Sequence, residues 1–304
     1  MQKRSLYKTL YEQRYLLLMS VPFVIWLAVF KYIPLVGWIM AFQDYKPHLG
    51  FLEQTWVGLK HFRDLFHAPL FYRALQNTLG MSVLGLVFGF TTSIGFAILL
   101  NELRFLSFKR FTQTVSYLPH FVSWVVVANI VTSLLSISGP LNEIFVSFKI
   151  FSEPVNFMIK PEYFWWIVVF ADIWKEMGWS AIIYLAAMSG IDSQIYEAAE
   201  IDGVNRFQKI WFITLPGISS TIIILLVLSI GNIINIGFEK QFLLGNAVTS
   251  TKALVLDKYA LDFGIGLFRY SYGTAIGIFK SVVSILLLFI ANHLAKKSGS
   301  GRLF

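Results

Sequence analysis

Six separate runs of this chain are apolar enough, for long enough, to cross a lipid bilayer as helices, so its solvent is lipid. A hydrocarbon core of about 30 Å needs roughly 20 predominantly apolar residues per helical span. The runs lie near 16–42, 77–100, 114–137, 164–188, 211–236 and 273–294. Backbone amides cannot stay unpaired in hydrocarbon, so the expected fold is an all-α polytopic membrane protein with six transmembrane helices. Composition agrees: 56% of the 304 residues are hydrophobic and 14% charged, too few charges to clothe a water-facing surface. The expected organisation is an N-terminal tail (1–15), a first helix with its outer loop (16–70), a core transmembrane domain (71–295) and a C-terminal tail (296–304).

The first run follows basic residues Lys3, Arg4, Lys8 and Arg14, as a secretory signal would. It is longer than a signal core of about 7 to 15 residues, and Lys31-Tyr32-Ile33-Pro34 stands where a small-residue cleavage site would fall, so it reads as a retained helix. Six spans place both termini on one side. Taken together, the two tails and the short loops 101–113 and 189–210 hold 12 Lys and Arg against 6 Asp and Glu, whereas the longer connections 43–76, 138–163 and 237–272 hold 10 against 9. The positive-inside bias therefore makes the termini and those short loops cytoplasmic. The net charge of +8 is explained by orientation and gives no argument for nucleic-acid binding.

The outer connections carry apolar residues such as Phe51, Trp56, Phe145 and Phe268 and are expected to fold as interfacial or re-entrant pieces. Tyr15, Trp38, Tyr163, Trp165, Trp211 and Tyr272 at span ends fit an aromatic belt. With no cysteine, and with His48, His61, His67, His120 and His293 scattered along the chain, neither a thiol site nor a metal site is expected.

The loop between the fourth and fifth spans carries the clearest local signals. Asp192 or Ser193 can cap a short helix through Glu197 to Glu200, and Gly203 supplies the left-handed residue that ends it. A second helix starts near Asn205, with Phe207, Ile210 and Trp211 as an apolar stripe and Arg206 and Lys209 facing water or a partner. Pro216 is expected to bend it into the membrane. Physics alone leaves two readings, a membrane-lying hairpin or a rigid peg whose Ala198 and Ala199 permit close contact and whose Glu197, Glu200 and Asp202 can meet basic side chains.

The spacing Glu197-Ala198-Ala199, three residues, Gly203, nine residues, Ile213-x-Leu215-Pro216 resembles the cytoplasmic signature of binding-protein-dependent ABC importer permeases. In that family the loop is a coupling helix seated in a nucleotide-binding subunit. The resemblance thus implies docking by Glu197, Ala198, Ala199, Asp202 and Gly203, with Ile213, Leu215 and Pro216 completing the motif. From about Phe71 onward the chain is similar to carbohydrate permeases of the maltose-transporter type, through Tyr117-Leu118-Pro119, Trp174, Gly178 and Tyr272-Gly273-Thr274-Ala275. Tyr11 to Leu18 and Gly237-Phe238-Glu239-Lys240 look like the subgroup importing polysaccharide-derived oligosaccharides. The implied partners are a homologous second permease, two copies of a cytoplasmic ABC ATPase and an extracytoplasmic solute-binding protein, in a bacterial cytoplasmic membrane. No phosphate-binding GxxxxGK[ST] occurs, so ATP and magnesium are expected on the ATPase and no cofactor on this chain.

Asp172, Lys175 and Glu176 fall roughly 12 to 18 Å into the fourth span, on one helix face. A mid-bilayer charge costs about 2.5 to 3.5 kcal/mol even on lenient scales, so they should face the bundle interior or a watery path. One reading is a Lys175 ion pair with Asp172 or Glu176 that locks helix packing. The other is a polar lining of a translocation path, with Trp174 and Trp179 as platforms for sugar rings. Lys280 in the sixth span either joins that path or snorkels outward. For an acidic cargo, Lys175 and Lys280 would matter by charge. The expected function is passage of an oligosaccharide into the cytoplasm, with an acidic, polysaccharide-derived cargo as the finer expectation. The alternatives are an ABC permease for another solute, a self-sufficient secondary transporter, which should show inverted repeats, and a membrane enzyme using Asp172 and Glu176, for which no catalytic constellation is visible.

Overall fold

The computed structural model describes residues 12–297; Lys3, Arg4, Lys8, Tyr11 and the tail residues 298–304 lie outside them. The described chain groups into two units, one running to His67 and including Asp262–Ile278, the other comprising Ala68–Leu261 and the chain from Phe279 onward.

In the first unit, a helical rod of 29 residues runs from Arg14 to Phe42. It is α-helical to Leu27, widens into a π turn over Ala28–Tyr32 and tightens to a 3₁₀ helix over Ile33–Phe42. Its side chains are exposed almost throughout, as lipid-facing residues are. A two-residue antiparallel pair, Gln43–Asp44 against Thr55–Trp56, follows. Gln54 ties its turn together, accepting from the Lys46 amide at 2.8 Å and donating to the Lys46 and Leu49 carbonyls.

The second unit is organised around two long helices, Pro69–Asn101 and Pro161–Ser189, of 33 and 29 residues. Each starts with a proline, where a missing N–H costs nothing, and each begins earlier than the apolar run alone implied. The membrane-facing turns extend as the same helix into more polar sequence. Two apolar clusters hold the unit. One gathers Met81, Phe164, Val168, Val169, Leu244 and Val255; the other gathers Ala97, Ala181, Tyr184, Met188 and Ile218. Along Pro161–Ser189 the charged positions 172–176 fall between these clusters. Gly178 permits a close crossing here, because a Cβ in its place would lie 2.1 Å from the Ser116 carbonyl oxygen.

Two expected spans are not continuous helices. The third is Leu106–Phe121 followed by Trp124–Leu134, bent by 104°; the fifth is Arg206–Gly217 followed by Ser219–Gly231, bent by 61°. In the third, Val122 is extended and Ser123 caps the new helix by accepting from the Val126 amide, which fixes a corner that hydropathy cannot register. In the fifth, the break falls at Ile218 rather than at Pro216. The chain absorbs the proline's missing donor in a π turn over Ile210–Thr214 before turning. Among the described residues, three helices are long and apolar enough to cross a membrane, or up to five if each bent pair is one span.

The long connections fold into short helices, among them Pro140–Ser147, Glu239–Leu244 and Leu256–Ala260. Polar rivets fasten them. Asn77 donates to the Thr251 and Leu254 carbonyls at 2.8 Å, and Thr78 accepts from the Leu256 amide at 2.9 Å. Two of the expected belt residues pack against the protein: Trp165 lies against Gly80 and carries Lys252 over its face at 4.7 Å, and Tyr272 is buried beneath Arg269.

Candidate functional site

The loop 189–210 folds as a short stiff peg. Asp192 caps the helix Ser193–Ile201, its side chain accepting from the Gln194 amide at 3.0 Å. The helix ends in a double closure, with the Gly203 amide donating to the Glu200 carbonyl and the Val204 amide to the Ala199 carbonyl. This closure needs a left-handed residue, and Gly203 has φ +72°. Asn205 and Gln208 then cap the next helix reciprocally. Lys209 reaches back to Glu200 at 2.6 Å and Tyr196 meets the Thr214 hydroxyl at 2.9 Å, locking the two short helices together.

Glu197, Ala198, Asp202 and Gly203 lie exposed on the peg, with Ile201 bare at 88% exposure. Ala199 faces inward and is buried, so it supports the peg rather than offering a contact surface. Lys209, expected to face water or a partner, has a side chain only 15% exposed because it clasps Glu200. That hydrogen bond and charge, reinforced by Arg104 from the loop 101–113, hold the Glu200 carboxyl below its ordinary value. Ile213 and Leu215 are half-buried and Pro216 exposed at the approach to the bend.

A second arrangement lies between the two apolar clusters. A cavity of about 420 Å³ is walled by the helices Pro69–Asn101 and Pro161–Ser189, by Leu225 to Ile236, and by Lys240 and Gln241. Asp172, Glu176 and Trp179 line it, with Ser82, Ser93, Ser180 and Asn232 adding hydroxyls and an amide. Such a mixture of an indole face and hydrogen-bonding groups suits a sugar.

The three charged positions of the fourth expected span divide. Lys175 pairs with Glu176 at 3.1 Å and donates to the His120 carbonyl at 2.5 Å. Its side chain is 7% exposed, so it locks the bend of the third expected span onto Pro161–Ser189 and does not line the cavity. Glu176 is held on its other oxygen by His120 Nδ1 at 2.7 Å, and the His120 ring stacks on Trp179 at 4.4 Å. Asp172 pairs with Lys240 at 2.8 Å, not with Lys175.

Trp174 does not line this cavity but an apolar one of about 560 Å³, with Trp166 and Phe170. Lys280 is neither on the cavity nor snorkelling, because it forms an ion pair with Asp257, whose other oxygen accepts from the Gly237 amide at 3.1 Å. The sequence reading missed His120, Lys240, Gln241 and Asp257. One signal was available: Asp172, Lys175 and Glu176 sum to one excess negative charge, which required a cation from elsewhere in the chain.

Known proteins share this sequence and architecture. The chain is 46% identical over 299 residues to the polygalacturonan/rhamnogalacturonan transport system permease protein YteP of Bacillus subtilis, covering 98% of this chain and 92% of the other. It is 43% identical to Protein LplB of the same organism, with coverage of 96% and 92%. Among solved structures, a bacterial ABC transporter involved in import of the acidic polysaccharide alginate superposes with a TM-score of 0.84 at 39% identity, covering 96% of this chain and 98% of that one. A bacterial alginate ABC transporter in complex with its alginate pentasaccharide-bound periplasmic protein gives a TM-score of 0.87 at 38% identity, with coverage of 99% and 100%. Residues 85–299 match the family described as the binding-protein-dependent transport system inner membrane component, and the chain belongs to that family, the permease subunits of ABC importers.

Proposed function

We propose that this chain is one permease of an importer that carries acidic, polysaccharide-derived oligosaccharides into the bacterial cytoplasm. It crosses the membrane six times with both termini inside. The bent pairs and Pro161–Ser189 complete the count, since that helix of 29 residues is long enough to span and its three charges are paired internally or with Lys240. A homologous permease forms the other half of the pathway, a solute-binding protein delivers cargo to the outer loops, and two copies of an ABC ATPase bind ATP and magnesium. The relatives that transport polygalacturonan and alginate, both polymers of uronic acids, support an acidic cargo.

The observation that carries the mechanism is the peg. Its helix is capped at both ends and clasped to the next, yet Ile201 and Ala198 lie uncovered beside Glu197. A rigid element presenting a bare isoleucine beside a carboxylate fits a groove on another protein, and here that protein is the ATPase. When the two ATPases close, each peg moves as a rigid body and tilts the helices that carry it, opening the cavity to one side and then the other.

The absence of cysteine makes the test direct. In the assembled importer, Ile201→Cys should react with a membrane-impermeant maleimide only in inside-out vesicles and crosslink to the ATPase. Leu52→Cys, 96% exposed in the first long connection, should react only in right-side-out vesicles. Labelling of Ile201→Cys from outside, or no ATPase crosslink in an assembled complex, would refute the docking role.

A further inference from the structure

We propose that Lys240, positioned by Asp172 and flanked by Gln241, is the residue with which the cavity reads the carboxylate of its cargo. This rests on the importer reading above and names the part of the cavity that makes an acidic oligosaccharide preferred over a neutral one.

Among the described residues, the charged side chains lining the cavity are Asp172, Glu176 and Lys240. Glu176 has both oxygens engaged, one by Lys175 and one by His120. Lys175 stands behind that pair and Lys280 is engaged by Asp257, so the two lysines that the sequence pointed to are committed elsewhere. Lys240 is the lining cation. Its ammonium has three donors, and the Asp172 carboxylate, at 2.8 Å, takes one. The face of Trp124 at 5.7 Å steadies the charge from another side. The ammonium is thus fixed from two directions, with donors to spare for a carboxylate in the cavity.

Gln241 strengthens the assignment. It is fully buried in the cavity wall next to Lys240, and neither its amide nitrogen nor its oxygen has a hydrogen-bond partner. Buried side-chain amides are ordinarily satisfied, so Gln241 holds unused donor and acceptor capacity beside the cavity. A uronate would meet it, with a carboxylate for the ammonium and amide N–H and ring hydroxyls for the amide oxygen. Asp172 acts through Lys240 as a positioning residue. With Asp172 balanced by Lys240 and Glu176 by Lys175, an acidic cargo does not meet two bare carboxylates.

The test uses the complete importer in proteoliposomes with saturating binding protein, comparing uptake of trigalacturonate with that of its neutral methyl ester. Lys240→Gln should lower trigalacturonate uptake about tenfold relative to wild type while ester uptake changes less than about twofold, and Lys240→Arg should retain the preference. The double variant Asp172→Asn/Lys240→Gln leaves no unpaired charge, and should show the same selective loss in a complex that purifies intact. If Lys240→Gln and the double variant lower both cargoes equally, or neither, the assignment to Lys240 is overturned while the importer reading stands. A wild-type complex that takes up neither cargo overturns the importer reading and the assignment with it.

Discussion

Replacing Gly203 tests the peg at its most demanding backbone position. Gly203 has φ +72°, and a Cβ built there meets nothing within 4 Å, so the cost of alanine is conformational alone. A left-handed L-residue costs about 1 to 2 kcal/mol. Proline costs more, because its ring fixes φ near −65° and it deletes the donor that closes onto the Glu200 carbonyl at 3.1 Å. A ring that cannot reach positive φ, together with the lost hydrogen bond, puts Gly203→Pro at about 3 kcal/mol or more. A nine-residue helix has little stability of its own, so this loss falls on the peg and not on the membrane core. At about 1.4 kcal/mol per tenfold, the well-formed peg should be depleted roughly fivefold or more by alanine and more than 100-fold by proline. The assay is stimulation of ATPase activity by loaded binding protein in the reconstituted importer, read beside cargo uptake. Gly203→Ala should weaken coupling modestly, and Gly203→Pro should abolish it while the complex still inserts and purifies. Wild-type stimulation and uptake in Gly203→Pro would show that the peg's shape does not matter and would refute the reasoning.

Other expectations follow from the same geometry. Lys175→Met removes one of the two partners of Glu176, leaves the other, His120, in place on a side chain that is 36% exposed, and should lower the melting temperature of the detergent-extracted complex, with Lys175→Met/Glu176→Gln restoring part of the loss; thermal unfolding of the pair decides it. Gly178→Val forces a side chain toward the Ser116 carbonyl and should cost about 1 to 3 kcal/mol or more, seen as a lower melting temperature, whereas Gly85→Ala, where a Cβ meets nothing within 4 Å, should cost far less. The clasp of Glu200 by Lys209 lowers the carboxyl's pKa below 4.5, so its contribution is complete above that pH and lost only as pH falls through the lowered value. Coupling should therefore be equal at pH 5 and pH 7 with respect to this group, and a loss between them that vanishes in Glu200→Gln would contradict the assignment. Asp192→Ala removes the helix cap and should weaken the peg by about 1 kcal/mol, read as a modest fall in stimulated ATPase activity.

The amino-acid sequence by itself determined the solvent, the helical class and the family, because each depends on local quantities. Apolar run length selects lipid, and the ordered spacing from Glu197 to Pro216 contains its own caps and glycine stop, so the peg formed as its residues dictate. Tertiary structure decided what hydropathy averages away. The corner at Val122–Ser123 occurs inside an apolar run and leaves no trace in hydropathy, and the bend that Pro216 announces falls two residues on, at Ile218. It also decided which charges pair. Asp172, Lys175 and Glu176 share a helix face, but their partners, Lys240 and His120, stand 68 and 56 residues from Asp172 and Glu176. Ion pairing depends on distances of a few ångströms in space, which sequence separation does not encode. The same reason removed Trp174 and Lys280 from the cavity and brought in Lys240 and Gln241, because only packing decides which side of a helix faces a cavity and which faces lipid or another segment.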